Sequence, residues 1–148
     1  MEQGMWNACT CVWAYDRWNV CHPNTNQFGY LDPDVSTHWG ETIGWEFGTQ
    51  IVYNESNGAI FHEIELIALT GHVAPNVSPT VWTQYSNDGE TWSVEKPIRV
   101  GVLGNRAKRL VWLQQGHMLN WRIQRFRGTS DAHLAIARLE ARLEPLAF

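Results

Sequence analysis

The chain has 148 residues, nine of them tryptophan, and a formal net charge of −4. Its longest apolar runs, Ile64–Leu69 with Glu65 inside it and Leu110–Leu113, fall far short of the roughly 20 residues that span a bilayer, and no Lys/Arg-led apolar start marks a signal peptide, so neither a membrane protein nor an exported one is expected. Cys9, Cys11 and Cys21, odd in number and crowded at one end, argue against a disulfide framework and suit a reducing compartment.

In chain order, Val12–Trp18 alternates like a strand, Cys21–Gln27 has the composition of a loop, and Phe28–Leu31 reads as a short strand stopped by Asp32-Pro33-Asp34. Ile43–Tyr53 is predicted as a long strand with bulges at Gly44 and Gly48, followed by a hairpin turn over Asn54–Gly58. Ala59–Thr70 sets Ile60, His62, Ile64, Leu66 and Ala68 on one face, the expected core stripe, and Glu63 and Glu65 on the other. Thr80–Ser86 opposes Val81, Thr83 and Tyr85 to Trp82 and Gln84. Ile98–Val102, Lys108–Leu113 and Leu119–Arg127 follow as strands, the last with a bulge expected near Arg125, where alternation breaks.

The final segment, Ala132–Leu143, supports two readings. Its residues are strong helix formers with Ile136, Leu139 and Leu143 at helical spacing. As a strand it turns Ala135, Ala137, Leu139, Ala141 and Leu143 inward and Arg138, Glu140 and Arg142 outward. The strand is adopted, because packing in all-β surroundings overrides local propensity. With no internal repeat and no linker, these elements predict one all-β domain over residues 1–148, an antiparallel β-sandwich of jelly-roll type with residues 1–20 as an edge strand or a remnant of something preceding it.

The chemistry-bearing residues do not assemble into a catalytic pattern. Cys9, Cys11, Cys21 and His22 invite a zinc reading, but structural sites use knuckles with two to four residues between the cysteines and a second pair downstream, and both are missing here. Neither metal nor cofactor is expected. No nucleophile elbow, HExxH or phosphate loop occurs, and Asp32/Asp34 and Glu63/Glu65 read as turn and solvent-face residues, so the chain is not expected to be an enzyme. Ser86-Asn87-Asp88-Gly89-Glu90-Thr91-Trp92 is the most informative short motif. Asp88 and Gly89 set a tight turn, Ser86 and Thr91 hydrogen-bond across its mouth, and Trp92 is expected to fold its ring beneath, where truncation to alanine costs about 3–5 kcal/mol.

Charge is unevenly placed: residues 1–95 carry one base, Arg17, against twelve acids, and residues 96–148 carry ten bases against three. Acidic and basic strands lying side by side within one sandwich would account for this. Alternatively, a basic face of Arg106, Lys108, Arg109, Arg122, Arg125 and Arg127 meets an acidic one of Asp32, Asp34, Glu41, Glu63 and Glu65 on a neighbouring subunit, a heterologous contact that closes rings. Contact with nucleic acid ranks third, since the bases are spread over several strands.

Several segments, taken in order, resemble the C-terminal part of the packaged-DNA stabilisation proteins, also called tail accessory or hub proteins, of short-tailed bacteriophages. They are Val12–Asp16, Phe28–Asp32, Gly40–Trp45, Phe61–Leu66, Tyr85–Gly89, Arg106–Trp112 with Gly116, Arg122–Arg127 and Arg138-Leu139-Glu140, an ordered series spread from Val12 to Glu140. The resemblance implies a virion tail component, assembled in the host cytoplasm, that forms a homo-oligomeric ring below the portal, contacts other tail proteins and lies near the packaged DNA. Such proteins carry a β-propeller ahead of this region. Here Tyr15-Asp16 and Phe28-Gly29 are too close for a full blade, so residues 1–20 are expected as its remnant and the chain as a fragment or a minimal relative. The SxDGxTW form of the turn also occurs in discoidin-type sandwiches, which keeps a second function open: recognition of a host surface glycan.

Overall fold

Period-two patterning broken by turn residues becomes strands. A computed structural model describes residues 6–35, 37–129 and 132–147. Among them the elements are β1 (Thr10–Ala14), β2 (Arg17–Cys21), β3 (Phe28–Tyr30), β4 (Thr37–His38), β5 (Glu41–Thr42), β6 (Gly44–Gly48) and β7 (Val52–Tyr53), then β8 (Ala59–Leu69), β9 (Thr80–Ser86), β10 (Lys96–Arg99), β11 (Leu110–Leu113), β12 (His117–Met118), β13 (Trp121–Thr129) and β14 (Ala135–Pro145). All pairings are antiparallel.

Two sheets form the sandwich. In the first, β13 is central, with β9 and then β10 on one edge and β6 and β7 along the other. In the second, β8 is central, with β11 and β12 on one edge and β14 on the other. Between them Phe61, Ile64 and Leu66 of β8 meet Leu110 and Trp112 of β11, Val81 of β9 and Phe126 of β13. Phe126 stacks on Phe47 with centroids 5.3 Å apart and tilts against Trp112 at 5.6 Å, so aromatic area joins three strands. The sheets are stitched along one side, where Trp112 Nε1 donates to the Lys96 carbonyl at 2.9 Å and Lys96 Nζ donates to that of Gln114 at 2.6 Å.

The final segment is a strand, β14, paired with the whole of β8. Three local expectations are corrected. The stripe on β8 changes face: Arg142 pairs with Glu63 and Leu143 with Phe61, leaving His62 as the extra residue of a β-bulge. Phe61 therefore points inward in place of His62, which lies exposed with Nε2 3.1 Å from Glu144 Oε2. The break near Arg125 is not a bulge, since β13 keeps one register against β9 from Ile123 to Gly128. Alternation fails there because two inward positions, 122 and 124, hold Arg and Gln. Finally, Val12–Trp18 is not one strand. It turns at Tyr15-Asp16, both with positive φ (55° and 56°), which makes β1 and β2 a hairpin.

Strands β1, β2 and β3 form a meander ahead of the sandwich, followed by the β4–β5 pair. Trp39 covers Gly29, where a Cβ would lie 3.0 Å from the ring, and its Nε1 donates to the Asn7 carbonyl at 2.8 Å. Of the described apolar residues in this region only Val20 is buried, and Trp6, Val12, Trp13, Tyr15, Trp18, Phe28, Tyr30, Leu31 and Val35 are all exposed.

Candidate functional site

The Ser86–Trp92 turn closes on one carboxylate. Asp88 Oδ1 accepts from the Ser86 hydroxyl (2.9 Å), from Glu90 N (2.9 Å) and from Thr91 N (2.7 Å), while Gly89 N donates to Ser86 Oγ at 2.8 Å. The Thr91 backbone and side chain first, then Glu90 N and the Ser86 hydroxyl, hold the Asp88 carboxyl well below the usual carboxylate range. Gly89 supplies the left-handed φ of +82°. The ring against this turn is that of Trp121, 3.5 Å from where a Gly89 Cβ would stand. Trp92 is not beneath it. The turn delivers Trp92 to the outer face of the first sheet, where its half-buried ring lies 4.0 Å from the Arg125 guanidinium.

That outer face is tiled by alternating rings and ions. Arg125 also reaches Glu46 at 3.3 Å. Arg127 lies over Trp82 at 5.0 Å and grips Glu95 through Nε and Nη2, both at 2.5 Å. This bidentate pair lowers the Glu95 pKa and raises that of Arg127. On the outer face of the second sheet Arg109 holds Glu65 with Nε at 2.7 Å and with Nη2, and reaches Glu63 at 3.8 Å.

The residues expected to form a basic face and its acidic counterpart are thus divided among five places, the fifth being the buried position of Arg122. Arg125 and Arg127 cover one sheet, Arg109 with Glu63 and Glu65 covers the other, and Arg106 and Lys108 are exposed in the loop before β11. Asp32, Asp34 and Glu41 belong to the N-terminal region, where Asp32 Oδ1 accepts from Asp34 N at 2.9 Å. In the pairs Arg109–Glu65, Arg125–Glu46 and Arg127–Glu95 an acid from the first 95 residues meets a base from the remainder, so part of the charge asymmetry is neutralised within the chain.

Arg122 presents no charge to any neighbour, because its side chain is inside the sandwich and 1% exposed. Its guanidinium lies between the rings of Phe61 (4.2 Å) and Tyr85 (3.8 Å), donates from Nη1 to the Gln115 carbonyl at 2.6 Å, and donates from Nε and Nη2 to Gln124 Oε1 at 3.1 and 2.7 Å. Burial pulls its pKa down to about 10. Gln124 in turn donates to Thr83 Oγ1 at 2.5 Å. Gly116 makes room: with φ +76°, its missing Cβ would sit 2.7 Å from Tyr85 Oη. This network is the part of the molecule that reading the sequence missed, and its only trace there is an arginine and a glutamine at consecutive inward positions.

The pocket lined by Trp45, Val73, Val81, Val100, Gly128 and His133 holds about 10 Å³, room for roughly one water molecule. Among the described residues no three His, Cys, Asp or Glu converge as a metal site requires.

The family model described as Bacteriophage P22 Gp10, beta-sandwich, matches residues 44–144, the stretch from β6 to within β14. The chain belongs to that family. It is therefore a phage structural protein of the virion, and the P22 Gp10 β-sandwich is its domain type. The match leaves the N-terminal meander outside it and does not support the glycan-binding alternative. A search of curated proteins finds no match.

Proposed function

We propose that this domain is a building block of the phage tail, one subunit's share of a ring-shaped hub below the portal that joins other tail proteins and helps retain packaged DNA. The observation that carries the reading is the division of the surface. The family-matched sandwich covers part of its outer faces with its own ring and ion pairs and exposes mainly aliphatic residues such as Leu69, Leu113 and Leu119, whereas residues 6–30 leave the rings of Trp6, Trp13, Tyr15, Trp18, Phe28 and Tyr30 open to solvent. An exposed aromatic cluster of this kind marks an interaction surface. In this reading the meander faces a neighbouring tail protein, the sandwich serves as a rigid spacer, and Arg106 and Lys108, exposed in the loop before β11, face DNA.

The test is electron microscopy of particles carrying a label on this chain, combined with DNA-release measurements on particles bearing Trp13→Ala, Tyr15→Ala and Trp18→Ala together. Label in a ring at the tail–portal junction, with DNA leaking from the variant, supports the reading. Label elsewhere on the particle, or DNA held as well as in the parent, overturns it.

A further inference from the structure

We propose that two copies of the domain join edge to edge through β14, antiparallel, about a two-fold axis at Ala141, merging two second sheets into one. β14 is eleven residues long, and among the described residues no strand pairs with its outer edge. Such an edge presents a row of unpaired backbone donors and acceptors to any strand that fits it. The other sandwich edges are shorter: β10 has four residues and Pro97, β6 has five, bounded by Gly44 and Gly48, and β7, β11 and β12 have two, four and two. β14 carries proline only as its last residue, and beyond Ala137 it holds no extra residue of its own, the second irregularity, between Arg142 and Leu143, being the His62 bulge in β8.

The side chains select both the partner and the register. Outward from the sheet β14 shows Arg138, Glu140, Arg142 and Glu144, alternating in sign; on the inward side, next to Leu66, Ile64 and Phe61, it shows Leu139, Ala141 and Leu143. Directly opposed residues of an antiparallel pair share a face, so registers that match odd with even positions bring one copy's charges against the other's apolar row. Registers centred on 140 or 142 oppose like charges. The register centred on Ala141 opposes Arg138 to Glu144 and Glu140 to Arg142, each twice. Centres at 139 or 143 achieve only half as many such pairs.

The inward row agrees. The Ala141 register sets Leu139 against Leu143, which is 40% exposed in the single chain, and places the small Ala141 against itself on the axis. Within one chain Glu140 lies opposite Glu65, a like charge, and pairs with Arg138 on its own strand, and Arg142 of a second copy adds a counter-charge on its open side. The pairing goes beyond the hub reading and does not rest on it: a ring repeats through a heterologous contact, whereas this one is isologous and joins two copies only.

Sedimentation across a concentration series at low salt, with fold checked by circular dichroism, tests the proposal. The parent chain should pass from monomer to dimer. Glu140→Arg with Glu144→Arg, and separately Arg138→Glu with Arg142→Glu, turn every charged cross-pair into a like pair and should each weaken the dimer on the order of 100-fold. Mixing the two variants should restore it. In a background with Cys9, Cys11 and Cys21 changed to serine, Ala141→Cys should cross-link to itself on mild oxidation, and Ile136→Cys should not. A parent that stays monomeric, a dimer indifferent to either reversal, or variants that fail to rejoin overturns the proposal. Should a reversed chain not fold, the cross-link decides alone, its formation supporting the pairing and its failure refuting it.

Discussion

Arg122 shows how one side chain can hold an end of a core that contains no acid to pair with it. Removing it opens a cavity between Phe61 and Tyr85 and strips Gln115 O and Gln124 Oε1 of their donors, so Arg122→Ala should cost about 3–5 kcal/mol in urea unfolding. Arg122→Lys should recover little of this, because a point charge lacks the planar fork that both stacks and donates three ways. Trp92→Ala should cost less, about 1–2 kcal/mol by the same measurement, since the ring is half-buried on Arg125 and not beneath the turn. Asp88 gives the pH dependence. Its folded pKa is depressed, so the stability it contributes is complete above the unfolded value of about 3.9 and is lost as pH falls through the folded one. The melting temperature of Asp88→Ala should therefore lie below the parent's at neutral pH, and the two should converge in strong acid.

Among the elements, β1 and β2 are joined by the least suitable residues. A two-residue turn with positive φ at both positions favours Asn-Gly, and here it is Tyr15-Asp16. Replacing the pair by Asn-Gly should stabilise the hairpin by about 1 kcal/mol, read as slower amide exchange in β1 and β2. The same turn explains where the sequence was legible. Thr80–Ser86 alternates cleanly and lies between prolines and an Asp-Gly turn, and β9 has those bounds. Tyr15-Asp16 holds a single turn former, Asp16, with neither Gly nor Asn beside it, so the hairpin read as one strand. His62 is apolar enough to pass for a core position, and only the pairing with β14 reveals the bulge. The candidate basic residues were legible as cations but not as neighbours, because strand order determines which acid each one meets. β14 succeeded on the opposite ground: its helix-forming composition yielded to the open edge of β8.

At the scale of the molecule, sequence-distant strands make the fold. β8 pairs with β14, and β13 lies between β6 and β9. Few of these pairings are local, so refolding should be slow, on the order of milliseconds to seconds by stopped-flow tryptophan fluorescence. For a ribosome this wiring has a particular meaning. When residue 95 has been added, β6, β8 and β9 exist as sequence, but every strand that pairs with them in the sandwich is still to come. The apolar row of Ala59, Phe61, Ile64 and Leu66 must wait uncovered in the unfinished chain. That nascent stretch carries one base and twelve acids, enough like charge to make neighbouring growing chains repel each other until the basic remainder arrives to pair with its own acids.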